Sequence, residues 1–148
     1  MEVERGVCAL VRLPEAAEAL KFLVPNAHWE TQREADQCKY RSEDGEVSVR
    51  LEHWDMDLDA DREFAALKGA FPDAKIRELG DLNVPAVVLD IPGAGTEVFV
   101  IPDIHHYVMV SVLGWGGARD VSKVAEQLAR AAVQRYEFAN TATRNTEY

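Results

Sequence analysis

The fold is decided by residues 85–113, PAVVLDIPGAGTEVFVIPDIHHYVMVSVL, which contain three apolar runs in close succession. The runs are Pro85 to Ile91, Thr96 to Ile101 and Ile104 to Leu113. Only short connectors separate them, and both Pro92-Gly93-Ala94-Gly95 and Pro102-Asp103 have the composition of tight turns. Parallel neighbours would need a crossover of a dozen or more residues. We therefore expect the three runs to form an antiparallel meander.

Further strands are predicted on the N-terminal side of this meander. Gln37 to Ser42 and Glu46 to Trp54 read as a hairpin, because Glu43-Asp44-Gly45 between them contains the Asp-Gly pair of a tight turn. Lys75 to Leu79 reads as one more short strand. The strand from Glu46 alternates with period two, and one of its faces carries Val47, Val49, Leu51 and His53.

Three amphipathic helices accompany the strands. The first, Pro14 to Leu23, begins with proline in the first turn, and a loop is expected from there to about residue 35. The second is capped by Asp59 or Asp61 and ends before Pro72. The third starts at Asp120. Its apolar stripe consists of Val121, Val124, Ala125, Leu128, Ala132 and Tyr136.

The predicted architecture is a single α+β domain over residues 1–137, followed by a flexible tail at 138–148. The element order is α-β-β-α-β-β-β-β-α, which gives a mostly antiparallel sheet of five to six strands packed by three helices.

Composition excludes several classes of function. The chain has 148 residues and a formal net charge of -10, so it lacks the basic face that nonspecific nucleic-acid binding requires. Its longest apolar stretches have the length of strands, far short of the roughly 20 residues of a spanning helix. The acidic residues are spread over turns and helix starts, so the sequence predicts no concentrated acidic face. No cofactor is predicted.

The start of the chain and its two cysteines bear on the compartment. Met-Glu-Val-Glu-Arg-Gly has neither the basic nor the apolar region of a secretory signal, which predicts a cytoplasmic protein unless a leader or lipobox precedes Met1. Cys8 and Cys38 are either two unrelated buried thiols or a disulfide pair. Composition alone leaves both interpretations open.

Two short motifs resemble a known group of proteins. Cys8-Ala9-Leu10-Val11 leads into the first helix, and Cys38-Lys39-Tyr40 precedes the alternating strand. They resemble the Cys-x-Leu-Leu start and later Cys-x-Trp/Tyr of small bacterial secreted and lipoprotein-type domains of unknown function. The turn Leu79-Gly80-Asp81 before the meander is similar as well. A more distant similarity is to extracellular sensor domains of actinobacterial serine/threonine kinases. Val11 departs from the motif, which has a second leucine there.

The resemblance implies that Cys8 and Cys38 are bonded to each other. It also implies an extracytoplasmic location, in the periplasm or at the cell surface, and a lipid anchor if an upstream lipobox was removed. Closing a loop of this length would stabilise the fold by about 3 to 4 kcal/mol in the chain-entropy model.

The segment from Asp55 to Asp61 places aspartates at alternate positions, as a calcium loop does. An EF-hand starting there would need glycine at position six and glutamate at position twelve, where the chain has Ala60 and Ala66. We therefore interpret the aspartates as a strand end and a helix cap, and predict no metal site among them.

Histidines give the only other candidate for metal binding or acid–base chemistry. His105 and His106 are adjacent on a strand and point to opposite faces, so they do not share a metal. His53 and His106 would come together if their strands are neighbours. With Asp55 and Asp57 they are the weak metal candidates. No catalytic residue is predicted.

Tryptophans are the candidate partner contacts. Trp54 is the strongest, because strand alternation places it on the polar face, and Trp29 and Trp115 are the others. Packing of Trp54 under a helix is the alternative interpretation, and the sequence favours it. The sequence therefore predicts a non-enzymatic extracytoplasmic domain that binds a protein or small ligand. A cytosolic acidic inhibitor or immunity-type protein, with free thiols, is one alternative. A metal-dependent hydrolase that uses the histidines and aspartates is another.

Overall fold

The computed structural model describes residues 6–23, 30–34, 36–42, 45–114 and 121–146, of which 19–23 and 138–146 are described by their backbone alone. Within these residues it has three α-helices and one antiparallel sheet of seven strands, so the predicted α+β class is confirmed. The helices are α1 (Leu13–Leu23), α2 (Ala60–Ala70) and α3 (Ser122–Thr146), preceded by a 3-10 helix (Gly6–Ala9). The strands are β1 (Glu30–Arg33), β2 (Gln37–Arg41), β3 (Gly45–His53), β4 (Lys75–Glu78), β5 (Ala86–Ile91), β6 (Gly95–Asp103) and β7 (His106–Gly114).

The sheet consists of two meanders that meet in its middle. The strand order is β1-β2-β3-β7-β6-β5-β4, and every neighbouring pair is antiparallel. All neighbours are also consecutive in the chain, except β3 and β7. These two pair from Gly45↔Gly114 to His53↔His106. The last pair lies at the end of the sheet where β3 leads into the loop before α2. The expected meander of residues 85–113 forms β5, β6 and β7.

One face of the sheet, here the core face, carries most of the hydrophobic core. Period-two alternation on β3, β5, β6 and β7 places valines there in register, and α1, α3 and the 3-10 helix pack over them. The stripe predicted on α3 is confirmed. Its fully buried alanines, Ala125, Ala129 and Ala132, allow the helix to lie close to the sheet. Fully buried valines of the core face are Val47, Val49, Val88, Val98, Val100, Val108, Val110 and Val112.

The opposite face of the sheet is covered only loosely where α2 lies over it. Asp59 caps this helix, as predicted, by accepting hydrogen bonds from the backbone N–H groups of Asp61 and Arg62. None of the residues of α2 is buried. Phe64 and Leu67 point towards the sheet but leave space below them. The helix therefore rests on this face without sealing it.

The segment before α1 is fixed to the core by a disulfide and two hydrogen bonds. Cys8 and Cys38 form a disulfide with their Cα atoms 5.2 Å apart, as the resemblance implied. The hydroxyl of Tyr40, which is fully buried on β2, donates to the carbonyl of Val11 at 2.7 Å. Arg135 of α3 donates to the carbonyl of Leu10 at 2.9 Å. Arg135 also pairs with Glu15, Nη2 to Oε2 at 2.8 Å, which joins α3 to α1.

The sequence prediction missed β1, and this strand raises the count from six to seven. Residues 30–33 read Glu-Thr-Gln-Arg, and all four are exposed at the edge of the sheet. A strand without a buried face has no hydrophobic alternation to reveal it. Charged side chains at such an edge also oppose pairing with another chain.

The turn between β6 and β7 lies two residues later than the predicted Pro102-Asp103. The structure turns at Ile104-His105, and Pro102 lies inside β6 at a register shift between Val100 and Asp103. A shift of this kind tolerates a proline, which has no N–H for the ladder. Asp103 closes the turn by accepting a hydrogen bond from the backbone N–H of His105 at 2.9 Å.

The last helix is longer than expected. It continues to Thr146 and so includes most of segment 138–148, for which a tail was predicted. Glu43 and Asp44 of the predicted β2–β3 turn lie outside the described residues, and Gly45 is the first residue of β3. No helix in the described ranges has both the length and the apolar character needed to cross a bilayer.

The disulfide generates a first prediction. Replacing Cys8 and Cys38 together by serine should lower the free energy of unfolding by about 3 to 4 kcal/mol, because the unfolded chain loses its cross-link. Urea denaturation with and without reductant measures this difference. Reductant should destabilise the wild type and leave the double variant unchanged; a wild type insensitive to full reduction would contradict the prediction.

The Glu15–Arg135 pair generates a second prediction. The hydrogen bond from Arg135 lowers the pKa of Glu15, which outweighs the opposing effect of partial burial. A lowered folded-state pKa stabilises the protein above the unfolded pKa of about 4.3, and this contribution is lost as the pH falls further.

We expect Glu15→Gln to destabilise the protein by about 1 kcal/mol at pH 7 and by less below pH ~4. Glu18→Gln, an exposed position on the same helix, is the matched control. Urea unfolding across pH 3 to 7 tests both, and a pH-independent difference would contradict the electrostatic origin.

Candidate functional site

The end of the sheet where β3 stops and β7 starts brings two loops together. The backbone N–H of Trp54 donates to the carbonyl of His105, and that of Leu58 donates to the carbonyl of Ile104, both at 2.7 Å. The side chain of Leu58 is buried. The loop before α2 and the β6–β7 turn are therefore held as one surface, although they are about 50 residues apart in the chain.

Large hydrophobic side chains are exposed on this surface. Trp54, Met56 and Ile104 are 38%, 78% and 53% exposed, and we call these three residues the apolar patch. In the part of the chain that the structure describes, Leu13 is the remaining large hydrophobic residue with comparable exposure. The three residues lie in two loops that backbone hydrogen bonds join, whereas the exposed hydrophobic side chains of an ordinary surface are scattered singly.

A groove extends from Trp54 between α2 and the sheet. Its volume is about 160 Å³, and its wall on the helix side is formed by Phe64, Leu67 and Glu63. Phe99, Ile101 and Tyr107 line it from the sheet, and Leu58 lines it from the loop before α2. The lining is mainly apolar, and Trp54 stands at its mouth. The groove exists because α2 is only half-buried against the sheet.

A polar group lies in the groove wall. The Tyr107 hydroxyl donates a hydrogen bond to Glu52, its neighbour across β3 and β7. Burial and this carboxylate together raise the pKa of Tyr107 to about 12, so the hydroxyl keeps its proton at neutral pH. Tyr107 thus lines the groove while its hydroxyl is paired with Glu52.

Acidic side chains surround the apolar patch. Asp55, Asp57, Asp59 and Asp61 are all exposed in the loop before α2 and in its first turn. These four residues lie in a loop and a helix start, where the sequence analysis placed the acidic residues, and here they lie close to exposed hydrophobic side chains. The backbone hydrogen bonds of Trp54 and Leu58 hold the acidic loop beside the β6–β7 turn, a proximity that a linear pattern does not reveal.

Histidines occupy the core-face side of the same end. His53 and His106 are register partners, and Nδ1 of His53 lies 3.2 Å from Nε2 of His106. The sequence expected these residues to meet if their strands were neighbours, and this is confirmed. Nε2 of His53 lies 3.2 Å from Asp55, and Nδ1 of His106 lies 2.8 Å from Asp103.

Asp103 is the most constrained carboxylate of this cluster. Besides the His105 N–H and His106, it accepts a hydrogen bond from the hydroxyl of Tyr136 on α3 at 2.6 Å. Partial burial raises its pKa, but the hydrogen bonds from Tyr136, His106 and the backbone of His105 together hold the pKa below its usual range. Asp103 therefore stays ionised at neutral pH and acts as an acceptor for all three donors.

His105 and Asp57, the other histidine and aspartate candidates, are less closely associated with the His53–His106 pair. Nδ1 of His105 lies 3.0 Å from the backbone carbonyl of Trp54, and its Nε2 lies 3.8 Å from Asp57. Within the described residues, no three or more His, Cys, Asp or Glu side chains are arranged to hold a metal ion. Trp29 and Trp115 fall outside the described residues, so their role as partner contacts stays a prediction.

Sequence reasoning found Trp54 and the histidine pair but missed the residues around them. Met56 and Ile104 each stand alone between polar neighbours, and they share a surface only because the two loops meet. The groove depends on how tightly α2 packs. The one available signal was the weak apolar stripe of α2, in which Phe64 and Leu67 stand beside residues such as Lys68 and Glu63.

Comparisons with protein-family models, with curated proteins and with solved structures found no match to this chain.

Proposed function

We propose that the chain is a non-enzymatic extracytoplasmic domain that binds a protein partner through the apolar patch and the groove beside it. The observation that carries the proposal is the exposure of Trp54, Met56 and Ile104 on two loops that backbone hydrogen bonds join. Exposed aromatic and methionine side chains are enriched where proteins bind each other. The Cys8–Cys38 disulfide supports an oxidising compartment, since such bonds are rare in the cytosol.

The size of the groove favours a side chain of a partner over a large free ligand. Pockets for drug-sized molecules measure about 300 to 1,000 Å³, whereas a cavity of about 150 Å³ takes a molecule the size of benzene. The groove, at about 160 Å³, therefore matches one aromatic or branched aliphatic side chain. Trp54, at its mouth, would pack against the inserted group.

The charge around the patch defines the partner further. An apolar anchor that enters between Trp54 and Phe64 passes the exposed aspartates of the loop before α2. Basic residues beside the anchor would find complementary charge there, which raises the association rate and disfavours acidic partners. We infer a partner segment with one large apolar residue flanked by lysine or arginine.

The alternatives fit less well. The cytosolic inhibitor shares the acidic surface but predicts free thiols, whereas Cys8 and Cys38 are bonded. The metal-dependent hydrolase lacks a set of three or more metal ligands in the described part of the chain. The similarity to bacterial secreted and lipoprotein-type domains, and with it a lipid anchor, stays a prediction.

A peptide titration tests the proposal. The probe is a synthetic peptide with one phenylalanine between two clusters of lysine, and the readout is the NMR chemical-shift change of the labelled protein. We expect shifts around Trp54 and Phe64 and an affinity that falls with added salt. Trp54→Ala should weaken binding by about tenfold or more, as for other aromatic anchors at interfaces.

Leu13→Ala is the matched control, because it truncates the exposed large hydrophobic residue outside the patch. Its binding should equal that of the wild type. Two further peptides replace the phenylalanine by alanine or the lysines by glutamate, and each should bind more weakly. Equal binding of all three peptides, or an equal loss in Leu13→Ala and Trp54→Ala, would contradict the proposed surface.

A further inference from the structure

The hydrogen bonds of the His53–His106 pair leave a position between the two rings that favours a cation. Each ring directs one nitrogen at a carboxylate: Nε2 of His53 at Asp55, and Nδ1 of His106 at Asp103. An ionised carboxylate only accepts hydrogen bonds, so the nitrogen that faces it carries the proton. In neutral rings the other two nitrogens, Nδ1 of His53 and Nε2 of His106, are then both unprotonated.

These two unprotonated nitrogens face each other. They are 3.2 Å apart, and the ring centroids are 4.9 Å apart with the planes tilted by 57°. The rings therefore meet through these atoms instead of stacking. Two lone pairs at this distance repel unless a positive species lies between them. A proton can occupy that position, and so can a metal ion that binds imidazole.

We propose that His53 and His106 bind a divalent transition-metal ion between Nδ1 of the first and Nε2 of the second, with Cu²⁺ preferred over Zn²⁺. With metal–nitrogen bonds of about 2.0 to 2.1 Å, a nitrogen separation of 3.2 Å corresponds to an angle of about 100° at the metal. That angle lies between those of square-planar and tetrahedral sites. The preference for copper follows from the order of affinities for nitrogen ligands.

The surroundings of the two rings support this assignment. Histidine ligands commonly donate their other ring N–H to a carboxylate, which orients the ring and increases its basicity. His106 has such a partner in Asp103, which is itself fixed by the hydroxyl of Tyr136. His53 has one in Asp55, whose side chain is fully solvated. The arm through Asp103 is therefore the more rigid of the two.

The site has two protein ligands, and solvent completes the coordination. The His53 side chain is 59% exposed, so water and the incoming ion reach the pair directly. Such a site binds more weakly than a closed structural site with four protein ligands. The proposal is independent of the partner surface, because it concerns the free protein and the opposite side of this sheet end from the groove.

Isothermal titration calorimetry of the whole chain with CuCl₂ and with ZnCl₂, in a buffer that does not chelate metals, tests the proposal. We expect one saturable site per chain, with Cu²⁺ binding more tightly than Zn²⁺. His53→Asn and His106→Asn should each abolish this site. Asp103→Asn should weaken it by about 10- to 100-fold, and Asp55→Asn by less, because Asp103 is the better-held partner.

His105→Asn is the matched control, since this neighbouring histidine is not part of the pair, and it should bind like the wild type. Thermal unfolding gives a second measure: Cu²⁺ should raise the melting temperature of the wild type and of His105→Asn but not of His53→Asn. Because the His53 side chain is mostly exposed, His53→Asn should fold normally. Absence of saturable binding, or wild-type binding by both His53→Asn and His106→Asn, would overturn the proposal.

Discussion

The pairing of β3 with β7 is the interaction on which the rest of the structure depends. It joins the meander β1-β2-β3 to the meander β4-β5-β6-β7, and it extends over nine residue pairs. Neither meander has a partner for its inner strand without it. The pairing aligns the valines of both halves into one core face, which α3 then covers. Because side chains alternate, a slip of one residue would turn every one of these valines to the other face.

The same register creates the candidate site. His53↔His106 is the last pair of the ladder, and the loops that continue from it are tied by the hydrogen bonds of Trp54 and Leu58. On one side of this end the histidines meet each other, and on the other side Trp54 opens the groove under α2. One constraint thus produces two surfaces of different chemistry. The disulfide and the Arg135 contacts act elsewhere, by closing the N-terminal segment over the core.

Much of the fold follows from the sequence because its signals are local. Turn residues and alternating valines define the meander, and a continuous stripe defines α3. Features without such signals are not predicted correctly. The strand β1 has no buried face, and the β6–β7 turn lies later than predicted because Asp103, not Pro102, closes it. The site was predictable only in part. Trp54 and the histidines stand out as residue types, whereas the position of Ile104 beside the loop before α2 depends on hydrogen bonds between distant segments.

The register of β3 against β7 is tested most directly by solution NMR of the labelled protein, through cross-strand contacts between backbone protons. We expect nuclear Overhauser effects that pair Val49 with Val110, Leu51 with Val108 and His53 with His106. We also expect slow amide exchange along both strands, which lie in the middle of the sheet. Contacts displaced by one residue, or an absence of contacts between the two strands, would contradict the shared core face and both surfaces at its end.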